Sequence, residues 1–353
     1  MPAFRAIRRA YPSAEITVVA QAKVRPIAER LHGLLDRFVA FPGFPGVRER
    51  EVDPRAIVPF LAWAQGERFD LAIQLHGNGV WTNPFTTLLG ARQTVGFVRA
   101  EDSPYFLGLD AAIEWPVGEH EIHRLLRLPA AIGMPPAGAE LELPIWPADD
   151  AEADAALAAG VTPERPIPDR PILALHPAGR FPDRTWPADR FVTAGRRIAA
   201  MTGARIVVTG GPDDAAVADE VAAGTDGLSV AGRLSLAGLA ALYRRSALVV
   251  TNDSGPAHIA YAVDSPSVTI FGAASPTEWA PLDRSRHAII EAAEPCRPCI
   301  DRLCIQMIPV EAVVDAAEGL VARGIVRADQ RAARRTPVSS VALETRPGPT
   351  SDA

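Results

Sequence analysis

Short β-branched runs separated by amphipathic stretches give the second half of the chain a regular rhythm. Ile172–Leu175, Ile206–Val208, Ala247–Val250 and Ser267–Phe271 are continuous apolar segments with the length and composition of buried parallel strands. Between the first two, a helical pattern opens at Pro187 and places Phe191, Ala194 and Ile198 on one face. Between the second and third, the pattern predicts two helices. One follows Asp213; the other is N-capped by Ser235, with Leu236, Leu239 and Tyr243 on a common face. Val310–Val321 predicts a last helix. Strands alternating with helices in this way predict a doubly wound parallel sheet.

The first half repeats the theme less cleanly. Glu15–Ala20, Arg37–Ala40, Phe69–Leu75 and Thr94–Val98 have the pattern of strands, and Pro2–Ala10, Val24–Leu34 and Arg55–Gln65 that of helices. A Pro-rich stretch between Leu143 and Pro171, containing an Ala-rich helical segment (Asp149–Ala159), separates the halves. The expected architecture is α/β, with two Rossmann-like doubly wound domains facing a cleft. Their expected extents are 1–145 and 171–324, with a linker over 146–170 and a disordered, Arg- and Ser/Thr/Pro-rich tail over 325–353. The chain opens on a helix feeding a strand, whereas a doubly wound domain begins with a strand, usually central. Removing a central strand exposes backbone edges and apolar surface. The expectation is therefore coding sequence upstream of Met1, the alternative being a damaged first domain.

Composition narrows the class. Of 353 residues, 48% are hydrophobic and 22% charged, ordinary values for a soluble globular chain. The formal charge of −6 lacks the strong basicity of a nucleic-acid binder. No apolar run approaches the roughly 18 residues of a membrane span, and the first residues have no apolar core like that of a signal peptide. The three cysteines, Cys296, Cys299 and Cys304, are too few for a disulfide framework. A cytoplasmic protein is expected, its basic tail read as solvated, with peripheral contact to anionic lipid at the inner membrane face as the alternative.

Three loops carry candidate chemistry, each following a predicted strand and so lying at the sheet edge where open α/β folds bind ligands. His176-Pro177-Ala178-Gly179-Arg180, continuing to Arg184-Thr185-Trp186-Pro187, joins two guanidinium forks to a helix start, a combination suited to an anionic group. The competing reading pairs those arginines with Asp183 and Asp189. Thr251-Asn252-Asp253-Ser254-Gly255-Pro256-Ala257-His258 brings a glycine and open helix-start amides to the same edge, unless Asp253 or Ser254 caps the helix. His258 follows one turn in, toward either cleft or core. Gly210-Gly211-Pro212-Asp213-Asp214 ends a strand with carboxylates at a helix start, where they cap the helix or contact ligand. Together the three loops favour a phosphate-bearing ligand.

From His176 to about Val314 the chain resembles glycosyltransferase family 9, the ADP-heptose:lipopolysaccharide heptosyltransferases and their relatives. The resemblance rests on Arg184-Thr185-Trp186-Pro187, Gly210-Gly211-Pro212-Asp213, Gly232-Arg233-Leu234-Ser235-Leu236, Asn252 to His258, and Phe271-Gly272-Ala273 with Pro276. Pro2 to Pro12, Leu88 to Arg92 and Val95-Gly96-Phe97 extend it over about residues 1–322. It implies a GT-B fold and transfer with inversion, without a required metal or other cofactor. The donor, an ADP-sugar, would lie on the C-terminal domain and a glycan or glycolipid acceptor on the N-terminal one. By position, Gly179 and Arg180 fall on the phosphate loop, and Arg184 where the family often has Lys against the donor phosphates. Asp213 matches a carboxylate near ribose or sugar, and Leu234 an apolar contact to the base. Asp253, Ser254 and Gly255 match the loop holding sugar and phosphate, with His258 after them.

The family's general base is an Asp in a Gly-Asp pair before the first helix, which this chain does not contain. Within it, His76, Glu101-Asp102 and Glu119-His120 are weak substitutes, His76 the best placed because it follows a strand. Cys296, Cys299 and Cys304 lack an obvious fourth ligand for structural zinc, His287 being the nearest histidine, so free thiols are expected. Two other readings remain open at this point: a nucleotide-sugar-binding protein without catalysis, and a nucleotide-sugar epimerase on the same fold.

Overall fold

The structure, a computed structural model, describes residues 1–47, 52–99, 101, 108–159, 170–179, 184–292 and 304–326. The N-terminal half contains α1 (Pro2–Ala10), β1 (Thr17–Ala20), α2 (Arg25–Ala28), β2 (Arg37–Ala40), α3 (Pro54–Glu67), β3 (Leu71–Ile73), α4 (Thr82–Leu88), β4 (Gln93–Val98), β5 (Ala111–Glu114) and α5 (Glu121–Ala131). All its strand pairs are parallel, but they form two separate sheets, β1-β2 and β3-β4-β5. One edge of β1 and one of β3 thus have no strand partner among the described residues. The expected helix Val24–Leu34 is instead a short α2 between two 3₁₀ turns, Ala22–Val24 and Glu29–Leu31. Pro26 lies in the first turn of α2, where a missing N–H breaks no intrahelical bond, so it marks a helix start at Arg25 within the expected span. β5, α4 and α5 escape the sequence pattern because each is short or interrupted, α5 by Pro129.

The C-terminal half runs α6 (Pro147–Ala158), β6 (Ile172–His176), α7 (Ala188–Thr202), β7 (Arg205–Val208), α8 (Ala215–Thr225), β8 (Leu228–Ser229), α9 (Leu236–Arg245), β9 (Leu248–Asn252), α10 (Gly255–Ala262), β10 (Ser267–Phe271), α11 (Pro276–Trp279), β11 (His287–Glu291), α12 (Cys304–Met307) and α13 (Val310–Ala322). Its single sheet is parallel throughout, ordered β8-β7-β6-β9-β10-β11. Alternation along the central strands divides the core between the faces. Leu173, Leu175, Ile206 and Leu248 join Phe191, Ile198 and Leu320 on one side, while Ile172, Ala174, Val207 and Val249 meet Leu242 and Ala153 on the other. Both faces are covered by helices, which is why the strands are continuous apolar runs.

Two local expectations change. Leu236 is 40% exposed, so it lies off the buried face of α9; Ala237–Tyr243 are all buried. The Ala-rich helix expected in the linker is α6, and its Ala153, Ala156 and Leu157 pack in the core beside β6. Asp150 and Asp154 of α6 accept from Arg244 and Arg245 of α9. The halves also touch directly: Arg124 of α5 pairs with Glu278 at 3.2 Å, and His120 bonds the Ala280 carbonyl at 2.6 Å.

Candidate functional site

The strand order reverses between β6 and β9, so the loops leaving these two strands diverge and open a crevice at their carboxyl ends. Asn252, at the end of β9 and fully buried, spans that crevice. Its amide nitrogen donates to the carbonyls of Pro177 and Ala178, at 2.9 and 3.2 Å. Its amide oxygen accepts the backbone N–H of Trp186 at 3.0 Å. The loop from β6 is thereby held at both ends by one side chain. Trp186 anchors the far end, fully buried, with its indole N–H donating to the Ile308 carbonyl at 3.0 Å. Gly179 is required within this loop, since a Cβ there would lie 2.5 Å from the Thr185 hydroxyl and 3.3 Å from the Arg184 carbonyl.

Arg184 and Asp253 face one another across the crevice, guanidinium to carboxylate at 3.9 Å. Arg184 is 41% exposed and Asp253 5%. Burial pushes the Asp253 carboxyl above its ordinary range, and Arg184 opposes that rise. Neither capping alternative is realised: Ser254 occupies the N-cap of α10 but makes no side-chain capping bond. Its hydroxyl instead donates to the Asn252 carbonyl at 3.2 Å. Gly255 is exposed, with nothing within 4 Å of the position a Cβ would take. The first turn of α10 therefore opens to the crevice with Arg184 opposite, an arrangement that attracts an anion.

The third loop lies alongside. Asp214 accepts from the Gly211 N–H at 2.8 Å and caps the following turn, while Asp213 is exposed and takes no part in that cap. The Gly232 N–H donates to the Gly210 carbonyl at 3.0 Å, and Gly232 adopts a positive φ of 69° against Pro212. This seats Leu234, half-buried against the core, next to the loop bearing Asp213. Below the crevice floor, His176 Nδ1 and the Tyr243 hydroxyl meet Thr209 Oγ1 at 2.9 and 3.1 Å. Burial pushes the His176 imidazole down to about 4 and the Tyr243 phenol up, so both are neutral at pH 7.

The structure thus brings together Gly179, Arg184, Asp213, Leu234, Asp253, Ser254 and Gly255 at one sheet edge. Arg180, Asp102, Cys296 and Cys299 lie outside the described residues; Cys304 is buried. His258 is a packing residue, its ring perpendicular to Tyr261 and 6.1 Å from Trp279, with burial pushing its imidazole down to about 4. His76 is exposed, three residues past the end of β3. Glu119 and His120 are occupied structurally. Glu119 clamps Arg127 at 2.6 and 2.9 Å; His120 accepts from the Ile122 N–H through Nδ1 and bonds Ala280 through Nε2. Glu101 is ion-paired with Arg99. Among the described residues no three His, Cys, Asp or Glu side chains cluster to hold a metal ion. The organising roles of Asn252 and Thr209 escape sequence reading, because a buried amide or hydroxyl bridging distant loops has no sequence period.

The sequence profile of glycosyltransferase family 9 (heptosyltransferase) matches residues 64–307. The lipopolysaccharide heptosyltransferase 3 of Escherichia coli strain K12 is 31% identical over 175 residues, 45% of this chain and 49% of that protein. The match thus spans about half the length of that curated relative. Among solved structures, a glycosyltransferase family 9 protein from Veillonella parvula superposes with a TM-score of 0.74 at 20% identity, covering 91% of this chain and 92% of that one. The E. coli heptosyltransferase WaaC with ADP gives 0.64 at 19% identity, covering 90% and 94%. These structures share the two-domain α/β arrangement of parallel sheets. With 64–307 matched, the chain belongs to glycosyltransferase family 9.

Proposed function

We propose that the protein is an inverting glycosyltransferase that moves a sugar, heptose by analogy with its relatives' names, from an ADP-sugar to a lipopolysaccharide-core or other glycan or glycolipid acceptor. The observation that carries this reading is the Arg184–Asp253 pair set across from the open first turn of α10 at the β6/β9 crevice. Breaking an anomeric C–O bond leaves charge on a diphosphate. A guanidinium fork and oriented backbone N–H groups are placed to meet that charge, so the step proceeds without a required metal. Asp253 and Ser254 offer oxygens to donor sugar hydroxyls, while Asp213 and Leu234, on adjoining loops, offer a carboxylate and an apolar wall to the nucleoside. ADP as the nucleotide follows the solved relative that carries it.

In this reading the C-terminal half supplies donor binding and leaving-group stabilisation, and the N-terminal half holds the acceptor. No helix among the described residues is long and apolar enough to cross a membrane. We place the enzyme in the cytoplasm, reaching a membrane-borne acceptor by peripheral contact. Calorimetric titration with ADP, UDP, GDP and dTDP, with and without Mg²⁺, tests the donor assignment. Selective ADP binding that is independent of Mg²⁺ and lost in Arg184→Ala supports it. A folded protein that binds none of the four overturns it.

A further inference from the structure

Both ring nitrogens of His120 are committed, one to each half of the molecule. His120 is the N-cap of α5, where its Nδ1 accepts the Ile122 N–H at 3.2 Å. Its Nε2 meets the carbonyl of Ala280, the residue after α11 in the C-terminal half, at 2.6 Å. A carbonyl only accepts and an N–H only donates, so Nε2 carries the proton and Nδ1 the lone pair. The ring is therefore neutral and its tautomer fixed. An imidazolium donates at both nitrogens and cannot cap α5.

The contact lies beside the cleft. α5 follows the last strand of the N-terminal sheet and α11 follows β10 of the C-terminal one, so both come from carboxyl edges. Ala280 is fully buried, and its neighbour Trp279 stands 6.1 Å from the His258 ring of α10. In the turn of α5 that His120 caps, Arg124 reaches Glu278 of α11 at 3.2 Å. The cap thus sits at the root of the ion pair that joins the halves.

The surrounding charges keep a second proton off the ring. On its own side lie His123, ring to ring at 5.8 Å, and Arg124. The carboxylates there are already engaged, Glu119 by Arg127 at 2.6 Å and Glu121 by Arg124 at 2.5 Å. From the C-terminal half come Arg284 and His258, with Glu278 held by Arg124. Burial lowers the imidazole below its ordinary value; the Ala280 carbonyl opposes this, His123 and Arg284 add to it, and Glu121 opposes it.

We infer that His120 is a proton-sensitive latch between the two halves. A proton taken up at Nδ1 faces the Ile122 N–H, donor against donor, and the cap is lost. Because the ring is rigid, turning Nδ1 away also withdraws Nε2 from Ala280. The first turn of α5 then frays, and Arg124 with it loosens from Glu278. The neutral form belongs to the closed contact, so the latch holds at pH 7 and releases as pH falls below about 6.5.

Hydrogen exchange of the full chain at pH 7.5 and pH 5, read by mass spectrometry and corrected for the intrinsic pH dependence of exchange, tests this together with small-angle X-ray scattering. At the lower pH, protection over residues 120–126 should fall about fivefold relative to α7, the equilibrium equivalent of one lost N-cap. The radius of gyration should rise in the same interval. His120→Asn keeps a capping oxygen and an amide donor but does not titrate, and should show neither change. His123→Asn, at an exposed position, should respond as the parent chain does. Unchanged protection in the parent chain, a measurement that needs no variant, overturns the inference. So does an equal response in His120→Asn. A fall in protection without a rise in radius also overturns it, reducing His120 to a local cap.

Discussion

The Asn252 side-chain oxygen accepts the backbone N–H of Trp186 at 3.0 Å, joining residues 66 positions apart. The same amide donates to the Pro177 and Ala178 carbonyls, so one buried side chain sets the separation between the β6 loop and the first turn of α10. Asn252→Ala would leave two carbonyls and an N–H unpaired in a dry site, at a cost of roughly 2–4 kcal/mol. Urea unfolding should record that loss. In protein kept folded at low temperature, ADP affinity should fall together with it, because Arg184 and Gly255 lose their register. Unchanged stability would remove Asn252 from its organising role.

Arg184→Ala should behave in the opposite way. The side chain is 41% exposed and its carboxylate partner lies at 3.9 Å, so stability should change by less than about 1 kcal/mol. Loss of a charged hydrogen-bonding fork to phosphate should weaken ADP binding by about 10- to 100-fold. Calorimetry and thermal melting on the same samples separate the two effects.

Two glycines of the crevice make a matched pair. Gly179→Ala places a methyl 2.5 Å from the Thr185 hydroxyl and should destabilise the loop by about 1–3 kcal/mol. Gly255→Ala meets nothing within 4 Å and should leave unfolding unchanged. If a phosphate sits on the first turn of α10, that same methyl should nonetheless reduce nucleotide affinity. Equal effects of the two substitutions on unfolding would contradict the geometry.

Three imidazoles, those of His176, His258 and His287, are pushed by burial to about 4. Each is neutral in the fold and takes up a proton on unfolding below its ordinary value near 6.5. The unfolded state therefore binds more protons between about pH 6.5 and 4, and stability falls as pH drops through that window. His176, fully enclosed beneath the crevice, should contribute about 1–2 kcal/mol of the loss between pH 7 and pH 5. Urea midpoints at the two pH values should show a shallower dependence in His176→Asn than in the parent chain.

Arg124 links the halves with almost no exposure, binding Glu121, Glu278 and the carbonyls of Pro116 and Glu119. Arg124→Ala should cost roughly 1–3 kcal/mol, since it strips several half-buried acceptors of their partner at once. Glu278→Gln keeps a hydrogen-bonding group at the contact and should cost far less. Similar unfolding curves for the two variants would mean that the contact is not consolidated in solution.

What the sequence determined is what local pattern encodes. Buried parallel strands leave apolar runs such as Leu173 to Leu175, and amphipathic α7 shows its face through Phe191, Ala194 and Ile198, so β6, β7, β9 and β10 and the helices packed on them were legible, whereas the edge strands β8 and β11 and the one-turn helices α11 and α12 were not. The placing of the three loops at one sheet edge was legible too, because each directly follows a strand of the parallel sheet. Tertiary structure decided the rest. Whether Asp253 caps α10 or faces Arg184 depends on where the β6 loop comes to lie, and that follows from strand order and from Asn252. His258 became a packing residue, and Glu119 and His120 structural ones, through neighbours such as Trp279, Arg127 and Ala280 that are far away or differently oriented in the linear chain. Hydrophobic period is a property of one segment; hydrogen-bond partnership and burial belong to pairs that only the closed fold brings together.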